Sequence, residues 1–149
     1  MSVTALDTSV IVAALLGWHE AHAPALRALV AAREARGGRL LVPAPALIEA
    51  YVVMTRLPAP HRLAPADAVN LLSGSFENKA DVVHLGESET WRFLREAAGR
   101  GIAGGRAYDV LILRCALKGG ATHLLTLDRR DFDRLDPARI EIVAPGTNP

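Results

Sequence analysis

Short apolar runs of strand character alternate along this chain with longer segments of helical period. "VTAL" (3–6) predicts a strand that stops at Asp7-Thr8-Ser9. "SVIVAALL" stays apolar for too long to alternate between two faces, and it predicts a buried helix ended by Gly17. "HEAHAPALRALVAAREARGG" sets Leu26, Leu29 and Val30 against Arg27, Arg33, Glu34 and Arg36, an amphipathic helix stopped by Gly37-Gly38. "RLLVPA" is a strand ended by Pro43. "PALIEAYVVMTR" is a helix with Pro45 in its first turn, where the missing N–H costs nothing. "PADAVNLLSGSFENKA" predicts another amphipathic helix, weakened at Ser73-Gly74-Ser75. "DVVHLG" (81–86) alternates like a strand, "ESETWRFLREAAGRG" is a helix, and "IAGGRAY" is a Gly-rich loop. "DVLILRCALKGG" is a helix, apolar nearly all round apart from Arg114 and Lys118. "THLLTLD" is a strand, "RRDFDRL" a short helix and "IEIVAP" a last strand.

Strands and helices in alternation predict an α/β domain with a mostly parallel sheet, because right-handed crossovers then lay helices on both faces. No repeat or linker interrupts residues 1–149, so one domain is expected, large enough to bury roughly 68–70% of its unfolded surface. Seventeen basic residues against sixteen acidic ones exclude a polyanion-coating protein but leave a nucleic-acid substrate open, should the arginines cluster. Cys115 is the only cysteine, which rules out an intrachain disulfide or a Cys-rich metal site and suits a reducing cytoplasm. The N-terminal apolar run lacks a basic flank and is interrupted by Asp7, unlike a signal peptide. No run reaches the 18 or so apolar residues of a membrane span. A soluble cytoplasmic protein with no membrane partner is expected.

Four acids stand in apolar settings: Asp7 after the first strand, Glu49 one turn into the helix after the second, Asp109 at a helix start, and Asp128 closing the fourth strand. In a parallel sheet all four project to the carboxyl edge, where ligands of such folds gather. Two unit charges 4 Å apart repel by about 4 kcal/mol at an effective dielectric near 20. A helix dipole returns only about 0.3–1 kcal/mol to Asp109. The group therefore binds protons or a hard divalent cation, and an all-oxygen set favours Mg²⁺ or Mn²⁺ over Zn²⁺. Such a site suits water attack on a phosphodiester, with Arg106, Arg129 and Arg130 as holders of phosphate.

Each residue also has a plainer reading. Asp7 alone is an N-cap candidate and Asp109 a first-turn acid, while Asp131 and Asp133 read as caps or surface acids. Glu49 would need a core partner such as Arg56. Ser9 and Thr126 are candidate ligands or ordinary cap hydroxyls. The five histidines read as surface, Trp18 and Trp91 as packing residues, and Cys115 as an inert core thiol. "GRGIAGGR" lacks the Gly-Lys-Ser/Thr ending of a phosphate loop and reads as a flexible lip of the site.

Four stretches in order, "LDTSVIVAAL", "PALIEAYVV", "AYDVLILRCAL" and "LLTLDRRDF", resemble the PIN-domain ribonucleases, and more narrowly the VapC-type toxins of bacterial type II toxin–antitoxin pairs. The resemblance spans nearly the whole chain. It implies a three-layer α/β/α sandwich around a parallel sheet, with an acidic pocket that binds Mg²⁺ or Mn²⁺. By position Asp7, Glu49 and Asp109 match the three most regular acids. The fourth falls at Asp128, with Asp131 as an outer ligand, and Ser9 and Thr126 match the polar companions. The expected catalytic set is Asp7, Glu49, Asp109 and Asp128, with the cation held by Asp7, Asp109, Asp128 and Asp131. The resemblance further implies an RNA substrate such as tRNA or rRNA, a cognate antitoxin, a homodimer, and contact with DNA only through the antitoxin complex. Extra length near residues 57–80, relative to many small toxins, is expected to shape the substrate or antitoxin groove. A haloacid-dehalogenase phosphotransferase would need an acid where Ser9 stands. A response regulator would need adjacent acids after the first strand and a Lys after the last, and neither is present. The alternative that stands is a catalytically silent PIN-fold module that binds RNA or a protein partner.

Overall fold

In the computed structural model, which describes residues 2–135, 137 and 139–146, β1 (Val3–Leu6) is the middle strand of the sheet. Beside it lie β2 (Arg39–Pro43) and then β3 (Asp81–Val83) on one side, and β4 (His123–Leu125) and then β5 (Glu141–Val143) on the other. All four pairings are parallel, so the expected mostly parallel sheet is parallel throughout its five strands. Every residue of β1 is buried, as a strand covered on both faces requires, and this is why "VTAL" shows no polar alternation. At the edge, β3 leaves Asp81 and Val82 exposed, and Asp81 is paired with Arg39 of β2, a charge that discourages further strand pairing.

The helices are α1 (Thr8–Leu15), α2 (His22–Glu34), α3 (Ala44–Arg56), α4 (Pro65–Phe76), α5 (Glu87–Gly99), α6 (Arg106–Lys118) and α7 (Arg129–Asp133). The chain runs outward from β1 to β3, then returns past β1 to β4 and β5. Right-handed crossovers therefore put α1–α4 on one face and α5–α7 on the other. Within the layers α1 lies on α2 and α3, α3 on α4, and α6 on α7, and α3 also meets α6. One hydrophobic core joins both layers through residues such as Leu6, Ile11, Leu41, Met54 and Phe132. At its C-terminal end α6 approaches the sheet so closely that a Cβ on Gly119 would lie 2.1 Å from Leu41 Cδ1, so any larger residue there forces the buried Leu41 side chain to move.

Three expectations need correction. The helix expected from residue 19 begins at His22, with turns before it. Pro24 is the reason: deeper in a helix it would clash with the carbonyl four residues back, so it is confined to the first turn. The loop expected over 102–108 closes earlier, because α6 starts at Arg106 and places Asp109 in its first turn rather than at its opening. Trp18 and Trp91 are not packing residues, being 47% and 54% exposed. No helix among the described residues is long and apolar enough to cross a membrane.

Candidate active site

The order in which strands are added reverses between β1 and β4, and β1 ends in register with β4 at Leu6 and Leu125. Asp7 follows directly, its N–H donating to the Leu125 carbonyl at 3.0 Å, so the first residue past the strand sits in the crevice at the switch point. There Asp7, Glu49, Asp109 and Asp128 line one pocket of about 260 Å³ together with Ser9 and His19. The four acids come from four separate elements, and the parallel sheet brings them to one edge.

Asp7 is only 4% exposed, and both its oxygens are engaged. Oδ1 accepts the Thr8 N–H at 2.8 Å, which makes Asp7 the N-cap of α1. Oδ2 accepts the hydroxyls of Ser9 at 2.8 Å and Thr126 at 2.7 Å. The cap reading of Asp7 holds, and the same carboxylate lines the pocket. Ser9 Oγ in turn accepts the Leu127 N–H at 3.0 Å, and the fully buried Thr126 Oγ1 accepts the Asp128 N–H at 2.9 Å. The two hydroxyls tie the loop after β4 to the end of β1 and set where Asp128 stands. Thr8 Oγ1 donates to Glu49 Oε2 at 3.4 Å, linking α3 to the same network. Ile48 and Val52, which flank Glu49 in sequence, are exposed, and Glu49 itself is half-buried.

Among the described residues none of the four acids is in an ion pair. The anticipated partner Arg56 does not bind Glu49 in one. Burial, then the charges of Asp7, Asp131, Asp128 and Glu49, push Asp109 up from 3.8 to about 6. Burial and the charges of Asp7 and Asp131 raise Asp128 as well. Asp128 lines the pocket and Asp131 does not, though the charge of Asp131 bears on both Asp109 and Asp128. Asp133 is paired with Arg129 at 3.4 Å. Arg106, Arg129 and Arg130 are exposed and outside the pocket lining, so no arginine clamp is assembled there. No three acids, imidazoles or thiols among the described residues are gathered tightly enough to hold a metal ion as they stand. The site is a ring of separated oxygens with excess negative charge, a donor set whose chemistry suits a hard divalent cation.

His19 was expected on the surface, but it lines the pocket from the turn before α2, its Nδ1 accepting the Ala21 N–H at 3.0 Å. The signal in the sequence was Pro24, which excludes residues 19–21 from the helix and frees them to reach the pocket.

The raised pKa of Asp109 has a definite consequence for stability. Below about pH 3.8 the folded and unfolded chains both hold this proton. As the pH rises through about 6 the unfolded chain releases it first, so this carboxyl costs the fold increasing stability, and above 6 the cost is constant. Asp109→Asn is therefore expected to match the parent near pH 4 and to be the more stable protein at pH 7.5. Urea denaturation in EDTA across that range checks this, and a gap that narrows with rising pH would contradict it.

A family model described as the PIN domain matches residues 4–137. Ribonuclease VapC40 of Mycobacterium tuberculosis is 37% identical over 136 residues, covering 91% of this chain and 94% of that protein. Ribonuclease VapC27 of the same species is 38% identical over 139 residues, 93% of this chain and 94% of that protein. Among solved structures, VapBC2 from Rickettsia felis, bound to a DNA fragment from their promoter, is similar in fold. Its TM-score is 0.64 at 14% identity, over 96% of this chain and 98% of that one.

Proposed function

The chain belongs to the PIN-domain family, with VapC ribonucleases as relatives, and on that premise we propose that it is an endoribonuclease dependent on Mg²⁺ or Mn²⁺. The observation that carries this reading is the convergence of Asp7, Glu49, Asp109 and Asp128 on one cavity, with no basic partner in an ion pair among the described residues. Asp7, Asp109 and Asp128 hold the cation, with Asp131 as the outer acid. When bound, the ion lowers the pKa of water and offsets charge on the phosphate oxygens. Glu49 takes up the proton of the attacking water, a role open to it because no cation pairs with it among the described residues. Ser9 and Thr126 hold Asp7 in one orientation and align Asp128 beside it. Arg106, Arg129 and Arg130 draw in the RNA backbone from outside the pocket, Arg129 exchanging its weak exposed pair with Asp133 for a phosphate.

The whole chain acts as one nuclease domain, the toxin of a toxin–antitoxin pair, and works in the cytoplasm on structured RNA such as tRNA or rRNA. An apolar groove of about 680 Å³ borders Glu49, with Ile48, Val52, Leu94 and Tyr108 all exposed along it. Exposed apolar surface of this extent suits a protein partner. It supports a cognate antitoxin that covers the site and a homodimer, with DNA reached only through the antitoxin complex.

Removal of the cation is the direct test. Cleavage of labelled structured RNA is expected to fall to background in EDTA and to return with Mn²⁺. Calorimetric Mn²⁺ affinity should weaken as the pH drops below about 6, where Asp109 takes up its proton. Undiminished cleavage in EDTA would end the proposal.

A further inference from the structure

We propose that Trp18, stacked on His61 and set against the pocket-lining His19, is a platform for one unpaired nucleobase of the RNA substrate. This rests on the ribonuclease reading above. Trp18 lies directly before His19, which lines the pocket with the four acids, and the two rings are in contact range of each other. Its ring is stacked on that of His61, with centroids 4.1 Å apart and planes 26° apart, and the His19 ring is tilted against it at 5.9 Å.

This arrangement is not core packing. Trp18 is 47% exposed and its stacking partner His61 is exposed too. His61 is presented by the loop between α3 and α4, and that loop is braced by backbone bonds. The His61 N–H donates to the Pro58 carbonyl at 3.0 Å and the Leu63 N–H to Met54 at 3.1 Å. The Arg62 Nε–H donates to the Leu57 carbonyl at 2.8 Å. The aromatic surface is therefore held ready rather than assembled on binding.

The electrostatics call for such a surface. The arginines that draw in the RNA backbone stand outside the pocket lining, so a contact that does not depend on charge adds a hold on the substrate beside it. Stacking of a base on an aromatic face supplies such a contact and tolerates any base, since every base has a π face. The platform selects for a base free of its pair and is indifferent to which base it is.

The chain has two tryptophans, so Trp91→Phe leaves Trp18 as the sole reporter. In an Asp7→Asn, Trp91→Phe protein, single-stranded hexa-adenylate is expected to quench indole fluorescence, and the same strand with abasic central positions to bind about tenfold more weakly. With cleavage-competent protein, Trp18→Ala should raise KM for a loop RNA about tenfold while kcat and Mn²⁺ affinity stay within about twofold, and Trp18→Phe should keep most of the parental KM. Absence of quenching, equal binding of the abasic strand, or an unchanged KM in Trp18→Ala would overturn the platform and leave the nuclease intact. If the parent cleaves no RNA, the nuclease reading fails, and the comparison of full and abasic strands still decides the platform.

Discussion

Asp7→Asn is expected to lower RNA hydrolysis by about two to four orders of magnitude, the range that a positioned proton-transfer or charge-stabilising group supplies, while the protein stays folded. The substitution preserves shape. Asn retains an oxygen to accept the Thr8 N–H, and the cap of α1 survives. The new amide NH₂ faces the Ser9 and Thr126 hydroxyls, which turn from donors to acceptors. Thr126 then loses its carboxylate acceptor in a fully buried place and keeps only the Ser9 hydroxyl, 3.5 Å away, for its own proton, at a cost of about 1–3 kcal/mol. Removing one of several mutually repelling acids offsets that cost, and Asp109 loses the foremost of the charges that raise its pKa. Single-turnover cleavage, read beside a thermal melt, checks the prediction. The same variant separates the nuclease from a silent binding module in cells. Growth arrest on induction that disappears with Asp7→Asn requires the chemistry, whereas arrest through binding alone would persist. Cleavage at the parental rate would exclude Asp7 from the catalytic set.

The second large effect is expected from Phe132→Ala, far from any role in chemistry. Phe132 is fully buried in α7, a helix of five residues between Asp128 and Asp133. A helix that short cannot sustain itself, so its place depends on what it buries. Deleting the ring is expected to cost about 3–5 kcal/mol through lost burial and the cavity left behind. Activity should fall by more than the loss of folded protein explains, because Asp128 and Asp131 are carried on the segment that Phe132 anchors. Phe132→Leu fills most of the cavity and should cost less. Urea unfolding midpoints together with rates measured well below the transition test this, and a cost under about 1 kcal/mol for Phe132→Ala would show that α7 is held by something else.

Much of this architecture was legible in the order of residues. A strand buried on both faces is nearly all apolar, so "VTAL" and "RLLVPA" announce themselves, and helical period does the same for α3 and α6. The placing of four acids at one edge followed as well, because parallel strands joined by helices send every strand exit the same way. Pro24 carried a further signal, the exclusion of His19 from the helix. The boundaries were less legible, since the ends of elements are decided by which backbone groups find partners.

What tertiary structure alone decided is which distant residues meet. Ser9 and Thr126 share Asp7 Oδ2 across 117 positions, a pairing set by the register of β1 on β4 and by no local pattern. The same holds for Trp18 on His61, and for Arg106, Arg129 and Arg130, which stand outside the pocket although they neighbour its acids in sequence. Local sequence determines whether a segment can be a strand or a helix, because period and burial act over a few residues. Strand order and side-chain neighbours depend on how the whole chain closes on itself, and that information is spread over all of it.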